Sequence, residues 1–164
     1  NFRHQTSSTA NANLLARYLS DDLEANKVAP IVSLDRLIEL RDERGKAFED
    51  MSIAAVGHAV GARQVLYVQL LDTDMSPLAG TSTLRGSVNV LVRIIDVQTG
   101  RTLWPTDIER GYPMSAATSL GHDASSGAAT VRQRMYLQLA ADISKLFHKW
   151  QPANMGPEDM NINN

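Results

Sequence analysis

The chain has 164 residues, 43% of them hydrophobic and 21% charged, which is ordinary globular usage, enough for one self-sufficient core and far from the signature of disorder. Its 16 basic and 18 acidic residues leave a net charge of −2, so no overall positive field collects nucleic acid or anionic lipid. Cysteine is absent, which removes disulfides, thiolate zinc sites, iron–sulfur clusters and cysteine nucleophiles together.

Residues 1–9 are polar and read as a loop, in which Ser7, Ser8 or Thr9 offers a hydroxyl to cap a following helix. The chain opens on Asn1 rather than Met and shows no charged-then-apolar leader, so a processed or trimmed product is expected. Leu14, Leu15, Tyr18, Leu19 and Leu23 recur at helical spacing and predict an amphipathic helix to about Asn26. The short apolar stretch 28–32 predicts a strand, with Pro30 placing it at an edge or a bulge. Ser33 then caps a second helix carrying Leu34, Leu37, Ile38 and Leu40, which Gly45 ends. The run 50–59, rich in alanine, predicts a third helix stopped by Gly61, its small side chains suited to close packing on a sheet.

The stretch 65–71 is nearly continuous apolar sequence, the pattern of a strand covered on both faces near the centre of a sheet. Residues 73–85 mix Asp, Ser, Pro, Gly and Thr and predict a loop. Val88, Val90, Val92 and Ile94 then alternate with Asn89, Leu91 and Arg93, the clearest strand pattern in the chain. Gln98, Thr99 and Gly100 predict a turn into a return strand over 101–104, and so an antiparallel hairpin. Residues 111–126 are rich in Gly, Ser, Ala and Pro without periodicity and predict a long, mobile loop. Val131, Met135, Leu139, Ile143, Leu146 and Phe147 make a long apolar stripe over about 126–150, a final helix that covers the sheet. The polar stretch 151–164 reads as a flexible tail, so the organisation is one domain over 1–150 and a tail. No apolar run approaches the roughly 20 residues that a membrane-spanning helix requires.

The chemistry-bearing residue types do not converge on a motif. Gly57-His58-Ala59-Val60-Gly61 lacks the Lys and hydroxyl that complete a phosphate-binding loop. The histidines His4, His58, His122 and His148 stand too far apart to build a local metal site, and neither a metal nor a cofactor is expected. Gly121-His122-Asp123 could supply a general base, and Ser115, Ser119, Ser125 or Ser126 a hydroxyl, which makes a small hydrolase using the 111–126 loop the enzyme alternative. The blander reading, a solvated His122 with Asp123 capping the last helix, is preferred, since no Ser lies in a G-x-S-x-G elbow. Arg85, Arg93, Arg101, Arg110, Arg132 and Arg134 would suit a polyanion only if they clustered on one face, which keeps a nucleic-acid-binding domain as a weaker alternative. Trp104, Arg110 and Tyr112 flank the hairpin's exit and are the candidate partner-binding residues, because aromatic side chains and Arg are enriched in binding hot spots.

Two stretches resemble a group of bacterial envelope proteins that includes the amino-terminal domain of TolB, CsgG and LpoB. Gly61-Ala62-Arg63-Gln64-Val65-Leu66 is similar to the group's step from a helix into a central strand. The stretch from Ile95 through Asp96, Thr99 and Gly100 to Trp104 is similar to its hairpin, where an Asp precedes a Thr-Gly turn and an aromatic ends the return strand. The resemblance covers about 2–150. In that group a first strand precedes the first helix, and only residues 1–4 remain here to supply it. The resemblance implies no catalytic residues, and implies a periplasmic location with a lipid anchor upstream of this chain or a soluble form. The expectation is therefore an α/β (α+β) domain of helices on a mixed, largely antiparallel sheet, anticodon-binding-like. It would act as a non-enzymatic periplasmic adaptor that binds a protein partner in the cell envelope at the outer membrane, and no nucleic acid.

Overall fold

The computed structural model describes residues 2–77, 83–118 and 127–149, with 2–8 as backbone only. In chain order the elements are α1 (Phe2–Ala25), α2 (Leu34–Arg44) continued by a 3₁₀ turn (Gly45–Phe48), α3 (Ile53–Ala59), β1 (Gln64–Pro77), β2 (Leu84–Asp96), β3 (Thr102–Trp104), β4 (Tyr112–Ala117) and α4 (Gly127–Ser144). The class is the expected α+β, with helices packed on a sheet whose described pairings are all antiparallel.

α1 begins at Phe2 and not after the Ser7 to Thr9 hydroxyls expected to cap it. No Gly or Pro interrupts 1–25, so nothing prevents the helix from running through those positions. Residues 2–4 accordingly belong to α1 and supply no preceding strand. The helix ends in a two-bond cap in which the Lys27 N–H donates to Glu24 O (2.9 Å) and the Val28 N–H to Leu23 O (3.0 Å). That geometry puts Lys27 at φ 54°, a conformation glycine usually takes at this position.

The strand expected over 28–32 is absent. The backbone there is irregular, because Pro30 cannot donate and no neighbouring strand among the described residues offers a ladder. Val28 and Ile31 still pack against the core, so the apolar signal was one of burial alone. α2 starts as expected, with Ser33 Oγ accepting from the Asp35 N–H at 3.2 Å, and it ends at Gly45, whose φ of 54° suits glycine. The Arg41 guanidinium donates to Asn13 Oδ1 at 3.0 Å and ties α2 to α1. α3 starts at Ile53, later than the expected 50, because Ser52 is the cap that accepts from the Ala55 N–H at 3.1 Å.

β2 is the centre of the sheet. It pairs along its whole length with β1 on one side, from Gln64 opposite Asp96 to Pro77 opposite Leu84. On its other side β4 pairs with Ser87 to Val92 and β3 with Ile94 and Ile95, so the two short strands share one edge end to end. β1 is therefore an edge strand, contrary to the central place expected from its apolar run. Two expected loops are also corrected. Residues 73–77 and 84–85 extend the β1–β2 pairing, and 112–117 form β4, because β2 offers hydrogen-bonding partners to segments whose own composition is weak for strands. The remainder of the predicted 111–126 loop, from 119 on, and the tail lie outside the described residues.

One face of the sheet is dry. Val88, Val90 and Val92 are at most 1% exposed beneath α4, where Val131, Met135, Leu139 and Ile143 of the predicted stripe are buried together with Tyr136 and Ala140. The helix ends at Ser144, short of the expected 150, so that Leu146 and Phe147 lie in the turn beyond it and Leu146 is 36% exposed. Leu15, Leu19 and Leu23 of α1 join the same core, and α1 lies against α4. The close approach of α4 is set by Gly86, where a Cβ would stand 3.2 Å from Val131 Cγ1 and 3.3 Å from Met135 Sδ. Among the described residues the opposite face is covered at one end only, by α3. There Gly57 sits so near the sheet that a Cβ would meet Val97 Cγ2 at 2.5 Å and Val65 Cγ2 at 2.7 Å, the close packing that small side chains foretold. Beyond α3 that face carries Tyr67, Gln69, Asp72, Asn89, Leu91 and Arg93 and is open or half-covered, as antiparallel sheets permit.

Candidate functional site

The candidate site is built on the hairpin that leaves β2. Asp96 closes the turn: its Oδ1 accepts from the Thr99 N–H and from the Thr99 hydroxyl, each at 2.7 Å, while the Gly100 N–H donates to Asp96 O at 2.9 Å. Gly100 takes φ 69°, so Thr-Gly is here a conformational requirement of the expected turn. The Thr99 hydroxyl and then its N–H hold the exposed Asp96 carboxyl below its ordinary 3.8. Both bonds fall on Oδ1 and tie the carboxylate to the turn.

The turn delivers β3, and β3 delivers Trp104 opposite Ile94. After the connection 105–111, Gly111 at φ 110° lets β4 enter beside β2, where a Cβ would lie 2.8 Å from Arg93 Cγ. Tyr112 then falls opposite Val92. The two aromatic residues predicted from the hairpin's exit are thus brought together, with ring centroids 5.3 Å apart and planes tilted by 39°. Phe147, in the turn after α4, meets Trp104 edge-on at 5.3 Å from the other side. Trp104 is half-buried and packs on the core, so it serves as the floor of the cluster. Tyr112, 38% exposed, is the part that faces water.

Arg110, the third predicted residue, is exposed in the connection between Asp107, Glu109 and Tyr112, and no contact joins it to the aromatic pair among the described residues. Sequence reasoning passed over Leu103 and Ile108, which are 42% and 38% exposed in the same short stretch. An apolar residue on each side of Trp104 within an otherwise polar segment was the available signal. Leu103, Ile108 and Tyr112 are thus exposed apolar residues of one short stretch that also carries the exposed Asp107, Glu109 and Arg110, the mixture of residues found in binding patches.

The alternatives fare differently in space. Ser115 lies in β4 opposite Asn89, on a regular strand, while His122, Asp123 and the other candidate hydroxyls lie outside the described residues. Among the described residues no three His, Asp or Glu side chains gather as metal ligands, and no helix is long and apolar enough to cross a membrane. A shallow depression of about 220 Å³ between α2 and α3, lined by Arg36, Glu39, Leu40, Glu43, Ala59 and Val60, falls below the size usual for small-molecule sites. The arginines divide between two sides: Arg85 and Arg93 lie on the open sheet face, and Arg132 and Arg134 on α4, which covers the other. Arg93 is engaged over the Tyr67 ring at 5.2 Å.

Compared with protein-family models, with curated proteins and with solved structures, the chain matches none.

Proposed function

We propose that this chain is a non-enzymatic protein-binding module of a bacterial cell envelope, an adaptor that engages its partner through the patch around Tyr112. The single observation that carries the reading is the exposed Tyr112 ring seated on the half-buried Trp104, in a stretch that also exposes Leu103 and Ile108. Exposed apolar groups on a rigid floor favour association, because the partner displaces water from them without having to order the side chain beneath. Tyr and Arg add a hydroxyl and a guanidinium to that surface, as at many interface hot spots. The envelope setting rests on the resemblance of the hairpin and of the Gly61 to Leu66 step.

A photo-crosslinking amino acid placed at Tyr112 in the source bacterium should trap one defined envelope protein. The same group at Leu137, exposed on α4, should not trap it. Arg110→Ala should weaken that complex while leaving the melting temperature unchanged, and Tyr112→Ala should weaken it further while costing about 1 kcal/mol of stability through the lost contact with Trp104. A complex equally strong in both variants, or a partner trapped equally from Leu137, would refute the patch as the contact.

A further inference from the structure

The sequence of β1 is that of a central strand, yet the strand lies at an edge. Val65, Leu66, Tyr67, Val68 and Leu70 are only half-buried, and the outer edge of the fourteen-residue strand pairs with nothing among the described residues. Such an edge is a ready template for another strand. Its apolar content reads as a surface that a further strand completes.

We propose that a second copy of this chain pairs with β1, joining the two sheets through an antiparallel, two-fold-symmetric β1–β1 contact centred on Val68. In a two-fold pair each residue meets its counterpart at equal distance on the other side of the axis, and directly opposed residues share a sheet face. With Val68 on the axis, Tyr67 meets Gln69 and Leu66 meets Leu70. The bulge then sets the outer pairs. β1 carries one residue, Leu71, that has no partner in β2, between Leu70 opposite Val90 and Asp72 opposite Asn89. Skipping that residue brings Val65 opposite Asp72, Gln64 opposite Thr73, and Arg63 opposite Asp74.

Every one of these pairs keeps its two members on the same face. Leu66, Val68 and Leu70 share the side that packs on the core, and Tyr67, Gln69, Asp72 and Asp74 share the open side. The charges are self-complementary as well. Arg63 and Asp74 are both exposed, and symmetry makes their ion pair twice, once at each end of the contact. Centring on Gln69 would place Arg63 opposite Ser76, without a charge pair, and centring on Tyr67 would keep a charge pair, Arg63 opposite Asp72, but set Gln64 against Leu70 on the apolar side. The Val68 register alone among these three combines a charge pair with apolar partners for Leu66, Val68 and Leu70.

The chain contains no cysteine, so a single introduced thiol can form only an intermolecular disulfide. Directly opposed residues of an antiparallel pair have Cα atoms roughly 4.5–5.5 Å apart, within disulfide reach. Val68→Cys should therefore cross-link to a dimer on mild oxidation, and Leu137→Cys should not. Sedimentation of the parent chain at roughly 100 µM, where even a micromolar contact is occupied, should show a dimer. Arg63→Asp should weaken it about tenfold, since two attractive pairs become repulsive at once. Asp74→Arg should do the same, and the two together should restore association to the parent's level. These are exposed positions, so circular dichroism should show the fold intact in all three. A parent that sediments as a monomer overturns the proposal and leaves the edge free for a different chain. A dimer indifferent to both charge reversals overturns it also, because association would then use another surface.

Discussion

β1 and β2 are neighbours of similar apolar content that meet different fates. β2 alternates: Val88, Val90 and Val92 face the helices, while Asn89 and Arg93 face the open side. Both of its edges are paired and its inward side chains are dry. β1 is apolar on both sides between Val65 and Leu71, yet it has a single partner strand and stays half-exposed. Alternation is thus a better sign of a well-placed strand than total hydrophobicity, because it specifies which side is buried and hence the register. A uniformly apolar run says only that both sides want cover, and in this chain α3 gives that cover at one end of β1.

The largest test of this contrast is a charge in the dry face. Val90→Asp should unfold the domain, because a carboxylate at a site 1% exposed meets no partner and carries a penalty of several kcal/mol, comparable with a small domain's whole stability. Leu71→Asp on the β1 bulge, 55% exposed, should shift the melting point of dilute protein by no more than about 0.5 kcal/mol would. Similar melting of the two variants would erase the distinction between the strands.

Next in size is the cover that α3 gives to the end of β1. Gly57→Ala inserts a methyl group where Val97 and Val65 already stand too close, and should cost about 1–3 kcal/mol as α3 is pushed off the sheet. An unchanged melt would mean that α3 sits more loosely than described and that β1 is open over its full length.

A smaller effect of opposite sign is expected on the dry side. Ser144 is 0% exposed with a hydroxyl that finds no partner among the described residues, so Ser144→Ala should raise stability by about 1 kcal/mol. A loss on substitution would reveal a hydrogen bond at that hydroxyl and a core less purely apolar than β2 implies.

The smallest effect concerns the end of β2. The Asp96 carboxyl is held below 3.8 by Thr99, so its contribution is present above 3.8 and is lost as pH falls through its lower folded value. Asp96→Asn should melt below the parent at neutral pH, and the gap should close on the acid side of 3.8. A gap constant with pH would show that the Thr99 contacts do not depend on the charge.

Much of the fold was legible because it is written in short-range patterns. The stripe of α4, the alternation of β2, the Ser33 cap and the Asp96 to Gly100 turn each depend on residues within a few positions of one another. The same is true of the candidate site in part: Trp104 and Tyr112 were visible as aromatic residues at a hairpin exit, while Leu103 and Ile108 looked like any apolar residue until their exposure was known.

What only the tertiary structure decided is pairing. Residues 73–77 and 112–117 are polar or proline-bearing and lack strand patterns, yet they are strands because β2 presents free N–H and C=O groups beside them. Residues 28–32 have the apolar content of a strand and are not one, because no such edge reaches them. A helix closes its hydrogen bonds within a few residues, so its sequence carries the whole condition for forming it. A strand closes them with a partner elsewhere in the chain, and here the partner, together with the choice of β2 as centre and β1 as edge, existed only once the chain was folded.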